Sequence, residues 1–171
     1  MEAVVSLDSI DSNAAVRTIV SRWSGGKDSV EAFGWSLGVT GERSRFKPRN
    51  LILQLVGEDE NANIAYEVVP SNIRIDLGRR QHVWVKVSLP DHLATFEVLD
   101  LDNPKGSRQK ATVPLTVRSK LASGSSGLVI GGLGKRNAPH HWDGRIEALR
   151  ILSDNLGGVH SDADFSRWRD G

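Results

Sequence analysis

Four cations recur at every second residue in one short run: Arg43, Arg45, Lys47 and Arg49. On an extended backbone all four project from one face, because strand side chains alternate. Aligned cationic groups of this kind suit the carboxylate or sulfate of an acidic polysaccharide. The same charges, with Pro48 among them, also suit a solvated edge that resists strand-to-strand aggregation. A second cluster, His140-His141-Trp142, sets two imidazoles beside an indole. That set fits metal ligation or stacking on a sugar, but no third ligand stands at zinc-like spacing. Loop residues flanking a buried Trp are the alternative, and His82 reads as a strand histidine satisfied by hydrogen bonds. Asp59, Asn61 and Asn63 are spaced i, i+2, i+4, like the opening of a cation loop, and calcium is the ion such oxygen donors take. No Gly or later bidentate Glu completes an EF-hand, so an ordinary Asx turn competes with the metal site.

Two enzymatic patterns are incomplete. Ser24-Gly25-Gly26-Lys27-Asp28-Ser29 has the letters of the phosphate loop of ATP pyrophosphatases, where backbone N–H groups and a helix N-terminus grip pyrophosphate. That loop requires a long helix and further βα units behind it. Here Gly34, Gly38 and Gly41 follow, then strand after strand, so the segment is expected to be a hairpin loop that binds no nucleotide. Glycoside hydrolysis needs two carboxylates across the scissile bond. The densest acidic stretches are Glu58-Asp59-Glu60 and Glu97 to Asp102, and neither has the ExDxxE spacing of jelly-roll glucanases. Asp100 and Asp102 share a strand face and read as a strand end entering a turn. The expectation is therefore that the chain is not an enzyme.

The elements that must carry these residues are β-like nearly throughout. Candidate strands are 3–7, 18–23, 33–39, 51–57, 64–69, 81–88, 94–101, 111–117, 127–131 and 145–152, separated by Gly, Asn and Pro turn signals that include Pro70-Ser71-Asn72. About ten strands at roughly 8–12-residue spacing predict an all-β, antiparallel two-sheet sandwich. Ser161 as an N-cap with acids behind it predicts one short C-terminal helix over Ser161–Trp168. The 171 residues suffice for one domain with a real core, spanning 1–171. A formal net charge of +1 provides no global field toward nucleic acid or membrane. No apolar run approaches the roughly 20 residues that cross a bilayer. The chain has no cysteine, which removes disulfides and thiol chemistry from consideration. It starts almost directly in a strand, without a signal peptide, and reads as a piece excised from a larger protein.

The stretch Leu128 to Leu152 carries the family signal. It reads as a strand, a Gly-rich turn, Trp142, an Asp143-Gly144 turn, then a strand in which Ile146 and Ala148 face one way and Glu147, Leu149 and Ile151 the other. An acid mid-strand among apolar residues is expected to be partly buried and held by Arg or backbone N–H donors. Trp142-Asp143-Gly144-Arg145-Ile146-Glu147 resembles the closing segment of laminin G-like, concanavalin A-like jelly rolls. Glu2-Ala3-Val4-Val5, Thr18 to Trp23 with Gly34 to Val39, and Gln81-His82-Val83-Trp84-Val85 resemble further segments in the family's order. The usual opening strand is missing, and residues 99–106 replace the usual short hairpin with a longer turn. The resemblance implies a jelly roll and a non-catalytic recognition module for carbohydrate or protein within an exported bacterial protein, with acidic polysaccharide or another domain of the parent as partner. It also keeps open a glycoside hydrolase on the same fold and a purely structural interaction domain.

Overall fold

The computed structural model describes residues 1–11, 13–24, 33–103, 105–106, 108–119, 127–133, 139–153 and 158–164. Among them every α-helix or strand assigned is a strand: β1 (Glu2–Leu7), β2 (Val16–Ser24), β3 (Phe33–Thr40), β4 (Asn50–Glu58), β5 (Ile64–Arg74), β6 (Arg80–Ser88), β7 (Leu93–Asp100), β8 (Gln109–Pro114), β9 (Val129–Ile130), β10 (Gly144–Ser153) and β11 (Gly158–Asp164). Six form one sheet in the order β11-β10-β1-β6-β7-β8, and five form the other in the order β5-β4-β3-β2-β9. All neighbours run antiparallel. The fold is a two-sheet β-sandwich of jelly-roll-like build, as the strand spacing predicts.

Alternation decides which side chains enter the space between the sheets. In β1, Ala3, Val5 and Leu7 are buried, and Glu2, Val4 and Ser6 face outward. Val83 and Val85 of β6 and Ala94, Phe96 and Val98 of β7 join them from the same sheet. Ile19, Leu37, Val39, Leu51, Leu53, Leu55 and Val69 meet them from the other. Burying each large aliphatic side chain is worth about 1.5–3 kcal/mol, so this interface holds the sandwich together. β4 departs from alternation because Ile52 and Val56 are buried too, on the side away from that core.

β10 breaks its own period. Val4 pairs with Ala148 and Val5 with Ile146, so Glu147 is the extra residue of a β-bulge. Ile146 therefore joins Leu149 and Ile151 against the core instead of facing away from them. Glu147 is buried, as its position predicts, and accepts a 2.6 Å hydrogen bond from Nε of Arg80. The helix expected over Ser161–Trp168 is overturned where it is described. Ser161 to Asp164 lie in β11 and pair with Ile151 to Ala148. The open edge of β10 offers a full ladder of backbone partners, and a helix that short is marginal without tertiary support. Residues 165–168 lie outside the described set.

Two punctuation signals resolve differently. Ser24 pairs antiparallel with Phe33, so β2 and β3 are a hairpin joined through residues 25–32, and the parallel βα setting of a pyrophosphate loop is absent here. Residues 25–32, with most of the Ser24–Ser29 motif, lie outside the described set. Pro70-Ser71-Asn72 does not reverse the chain. It sits inside β5, where the register with β4 shifts between Asn50 and Ile52 and Asn72 takes φ 61°.

Candidate functional site

Residues 41–49, which join β3 to β4, are turns and bends rather than an extended segment. The one-faced row of Arg43, Arg45, Lys47 and Arg49 accordingly does not form. Arg49 takes φ 65°, and its guanidinium lies 4.0 Å from the Asp76 carboxylate. Arg45 stands over the Phe46 ring at 4.9 Å. Burial pushes the Tyr66 phenol above its ordinary pKa, while the Gln54 hydrogen bond and the nearby Arg45 charge oppose that rise. Arg43 is exposed.

Lys47 lines a recess of about 370 Å³ with Pro48, Asn50, Asn72, Ile73 and Arg74. Such a volume falls within the roughly 300–1,000 Å³ of small-molecule clefts. Its wall is fixed by short polar contacts. Thr40 Oγ1 donates to the Lys47 carbonyl at 2.6 Å and accepts from the Asn50 amide at 2.8 Å. The buried Asn50 Oδ1 accepts from the Asn72 N–H at 2.9 Å and from Ser71 Oγ at 3.3 Å. Asn50 pairs with Arg74 across the register shift, which brings the cation of β5 beside that of the loop. Among the described residues no acid lines the recess. Neither Lys47 nor Arg74 has an ion-pair partner among the described residues. Two unneutralised cations beside side-chain amides suit an anionic group bearing hydroxyls. Arg74, Asn50 and Asn72 are not legible from sequence, because residues 70–72 look like a turn and only the β4–β5 pairing brings them to Lys47.

The other sequence-derived candidates are placed elsewhere. His140 Nδ1 lies 3.1 Å from the Val16 carbonyl, and burial lowers the His140 pKa, against that hydrogen bond and together with the His141 charge. The Trp142 indole N–H donates to the Ser6 and Arg145 carbonyls at 3.1 and 3.3 Å. Arg17, largely buried, donates to the His141 carbonyl at 2.8 Å and also to the Asp11 carbonyl. Segment 139–142 thus ties β10 to β1 and β2, and of its three rings His141 is on an exposed residue. Asp59 Oδ1 accepts the N–H groups of Asn61 at 2.8 Å and Asn63 at 2.9 Å, and these bonds, Asn63 first, hold its pKa below the ordinary value. The residues form an Asx-type turn, and no group of three metal-ligating side chains occurs among the described residues. Asp100 Oδ1 accepts from the Asp102 N–H and Asp102 Oδ2 from the Arg80 N–H, both at 2.9 Å, which organises the strand end.

Sheet order and recess together define the class: a jelly-roll-like β-sandwich with a cationic depression at the end of one sheet. No family model matches the sequence, and no curated protein does. Among solved structures the chain is similar to the enzymatically active domain of tailspike protein 2 of bacteriophage CBA120, at 14% identity and a TM-score of 0.56. The likeness covers 97% of this chain and 26% of the solved tailspike chain, so this chain spans about a quarter of the length of that domain. At this identity the likeness shows the fold alone.

Proposed function

We propose that the chain is a non-catalytic recognition module of the laminin G-like, concanavalin A-like kind, that it binds acidic polysaccharide, and that it serves within a larger exported bacterial protein. The observation that carries the reading is the recess in which Lys47 and Arg74 stand together, with no carboxylate among the described residues that line it. The attraction is largely Coulombic between exposed groups, screened over about 8 Å at physiological salt. Heparin-agarose should therefore retain the domain at low salt and release it well below molar salt. Lys47→Glu with Arg74→Glu should abolish retention. Lys105→Glu, an equal charge reversal at an exposed turn position, should shift elution only slightly. Equal elution of both variants, or no retention of the unmodified domain, would sink the proposal and favour a structural interaction domain.

A hydrolase on the same fold is the second reading, favoured by the likeness to the enzymatically active domain of the tailspike. It requires a carboxylic acid held protonated beside an ionised partner. The shifts at Asp59 and Glu97 both run downward, away from that role. Release of reducing ends from an acidic polysaccharide by the purified domain, lost on substitution of a single carboxylate, would establish the hydrolase instead.

A further inference from the structure

The outward face of the six-stranded sheet carries a second arrangement, independent of the cationic recess. One cross-strand row runs Arg150, Glu2, Trp84, Glu97, Lys110 through β10, β1, β6, β7 and β8. Trp84 is half-buried between two carboxylates, one on each neighbouring strand. Directly opposed residues on adjacent strands stand about 4.5–5.5 Å apart at Cβ, so both acids flank the indole. Each carboxylate is held by two basic side chains. Glu2 meets Arg150 at 3.0 Å and His82 Nε2 at 3.6 Å. Glu97 meets Arg108 at 2.9 Å and Lys110 at 3.0 Å. A carboxylate oxygen has more than one acceptor site, so each acid keeps acceptor capacity beyond its ion pairs. Trp84 Nε1 has no hydrogen-bond partner among the described residues. A shallow depression of about 90 Å³, lined in part by Glu2, Val4, His82 and Ala148, adjoins the row.

We infer that this face is a binding site for a neutral hexopyranose chain, with one ring stacked on Trp84 and its hydroxyls donating to Glu2 and Glu97. A pyranose offers an apolar C–H face and hydroxyl donors at its rim, which match an aromatic plate between oriented acceptors. The cations paired with the two acids, Arg150, Arg108 and Lys110, lie beyond β1 and β7, while His82 and Lys86 stand along β6 on either side of Trp84. The groups directly opposed to the ring on the two neighbouring strands are both carboxylates, which disfavours an acidic sugar there. The ion pairs hold both acceptors in place, and hydrogen bonds from Lys110 and Arg108 lower the Glu97 pKa against the effect of burial.

Indole ¹H–¹⁵N NMR spectra test this directly. The five tryptophans supply the signals, and Trp84→Phe assigns the relevant one. Cellohexaose, laminarihexaose, maltohexaose and mannohexaose are titrated separately to millimolar concentration. At least one should move the Trp84 indole resonance saturably. Trp84→Ala should weaken that binding about tenfold, in line with the loss of one aromatic contact. Glu97→Gln, which keeps the shape but weakens the acceptor, should reduce affinity without lowering the melting temperature by more than a few degrees. Lys47→Glu with Arg74→Glu should leave neutral-sugar binding intact, and Trp84→Ala should leave heparin retention intact, so the two sites fail separately. No movement of the Trp84 signal with any of the four chains, or equal binding by Trp84→Ala and Glu97→Gln, would overturn the inference.

Discussion

Individual residues in this chain take their roles from what surrounds them rather than from their type. His140 beside His141 has the letters of a metal site, yet its Nδ1 lies at the Val16 carbonyl and its backbone carbonyl accepts from the Thr18 N–H at 2.9 Å. Burial disfavours the imidazolium, so the native pKa falls below the ordinary value of 6.5. A depressed pKa gives stability that is fully present above the unfolded value and is lost as pH falls through the folded one. Between those values the unfolded chain binds a proton that the native chain binds more weakly. The melting temperature should therefore decline as pH drops from about 7.5 toward the lowered native pKa, and His140→Gln should flatten the decline in that window. Thermal scans across the range, read as the difference between the two proteins, check this. An unchanged slope would show that His140 does not couple to folding.

At the scale of elements, the closing β10 depends on how its first residue is placed. Gly144 has φ 141°, and a Cβ there would lie 2.0 Å from the Ser6 carbonyl oxygen. Gly144→Ala combines backbone strain with a clash against β1 and should destabilise by about 1–3 kcal/mol or more. Urea melts should show a lower midpoint with an unchanged m-value. A midpoint within error of the parent would mean that the β1–β10 junction is free to shift. Gly144 was legible as a position that needs glycine, but it is the first residue of β10 rather than part of a tight turn. The burial of Glu147 was legible too, although its cause was not. A bulge changes the face of Ile146 without altering a letter of the sequence. Residues 70–72 show the same limit, since Pro and Asn mark a bulge inside β5 as readily as a reversal. β11 was missed because its Ser and Asp residues favour an N-cap locally, and only the open edge of β10 makes them a strand. The cations of residues 43–49 were legible by type, but the turns that scatter them, and the delivery of Arg74 to Lys47, depend on pairing between distant strands.

Across the whole molecule the net charge of +1 conceals opposite local arrangements. Lys47 and Arg74 have no ion-pair partner among the described residues, whereas Glu2 and Glu97 flank Trp84 within ion-paired clusters. The recess belongs to the five-stranded sheet and the Trp84 row to the outer face of the six-stranded one, with the buried core between them. Coupling between two sites requires an element with two arrangements that both ligands bias. The core that separates them is a set of close-packed aliphatic side chains, a medium that resists graded deformation. The two proposed sites should therefore bind without cooperativity. Calorimetric titration of the neutral hexasaccharide that binds best, with and without a saturating sulfated oligosaccharide, should give dissociation constants within about twofold of each other. A tenfold difference, about 1.4 kcal/mol, would place an adjustable element between the sheets and make the sandwich a transmitter between its two faces.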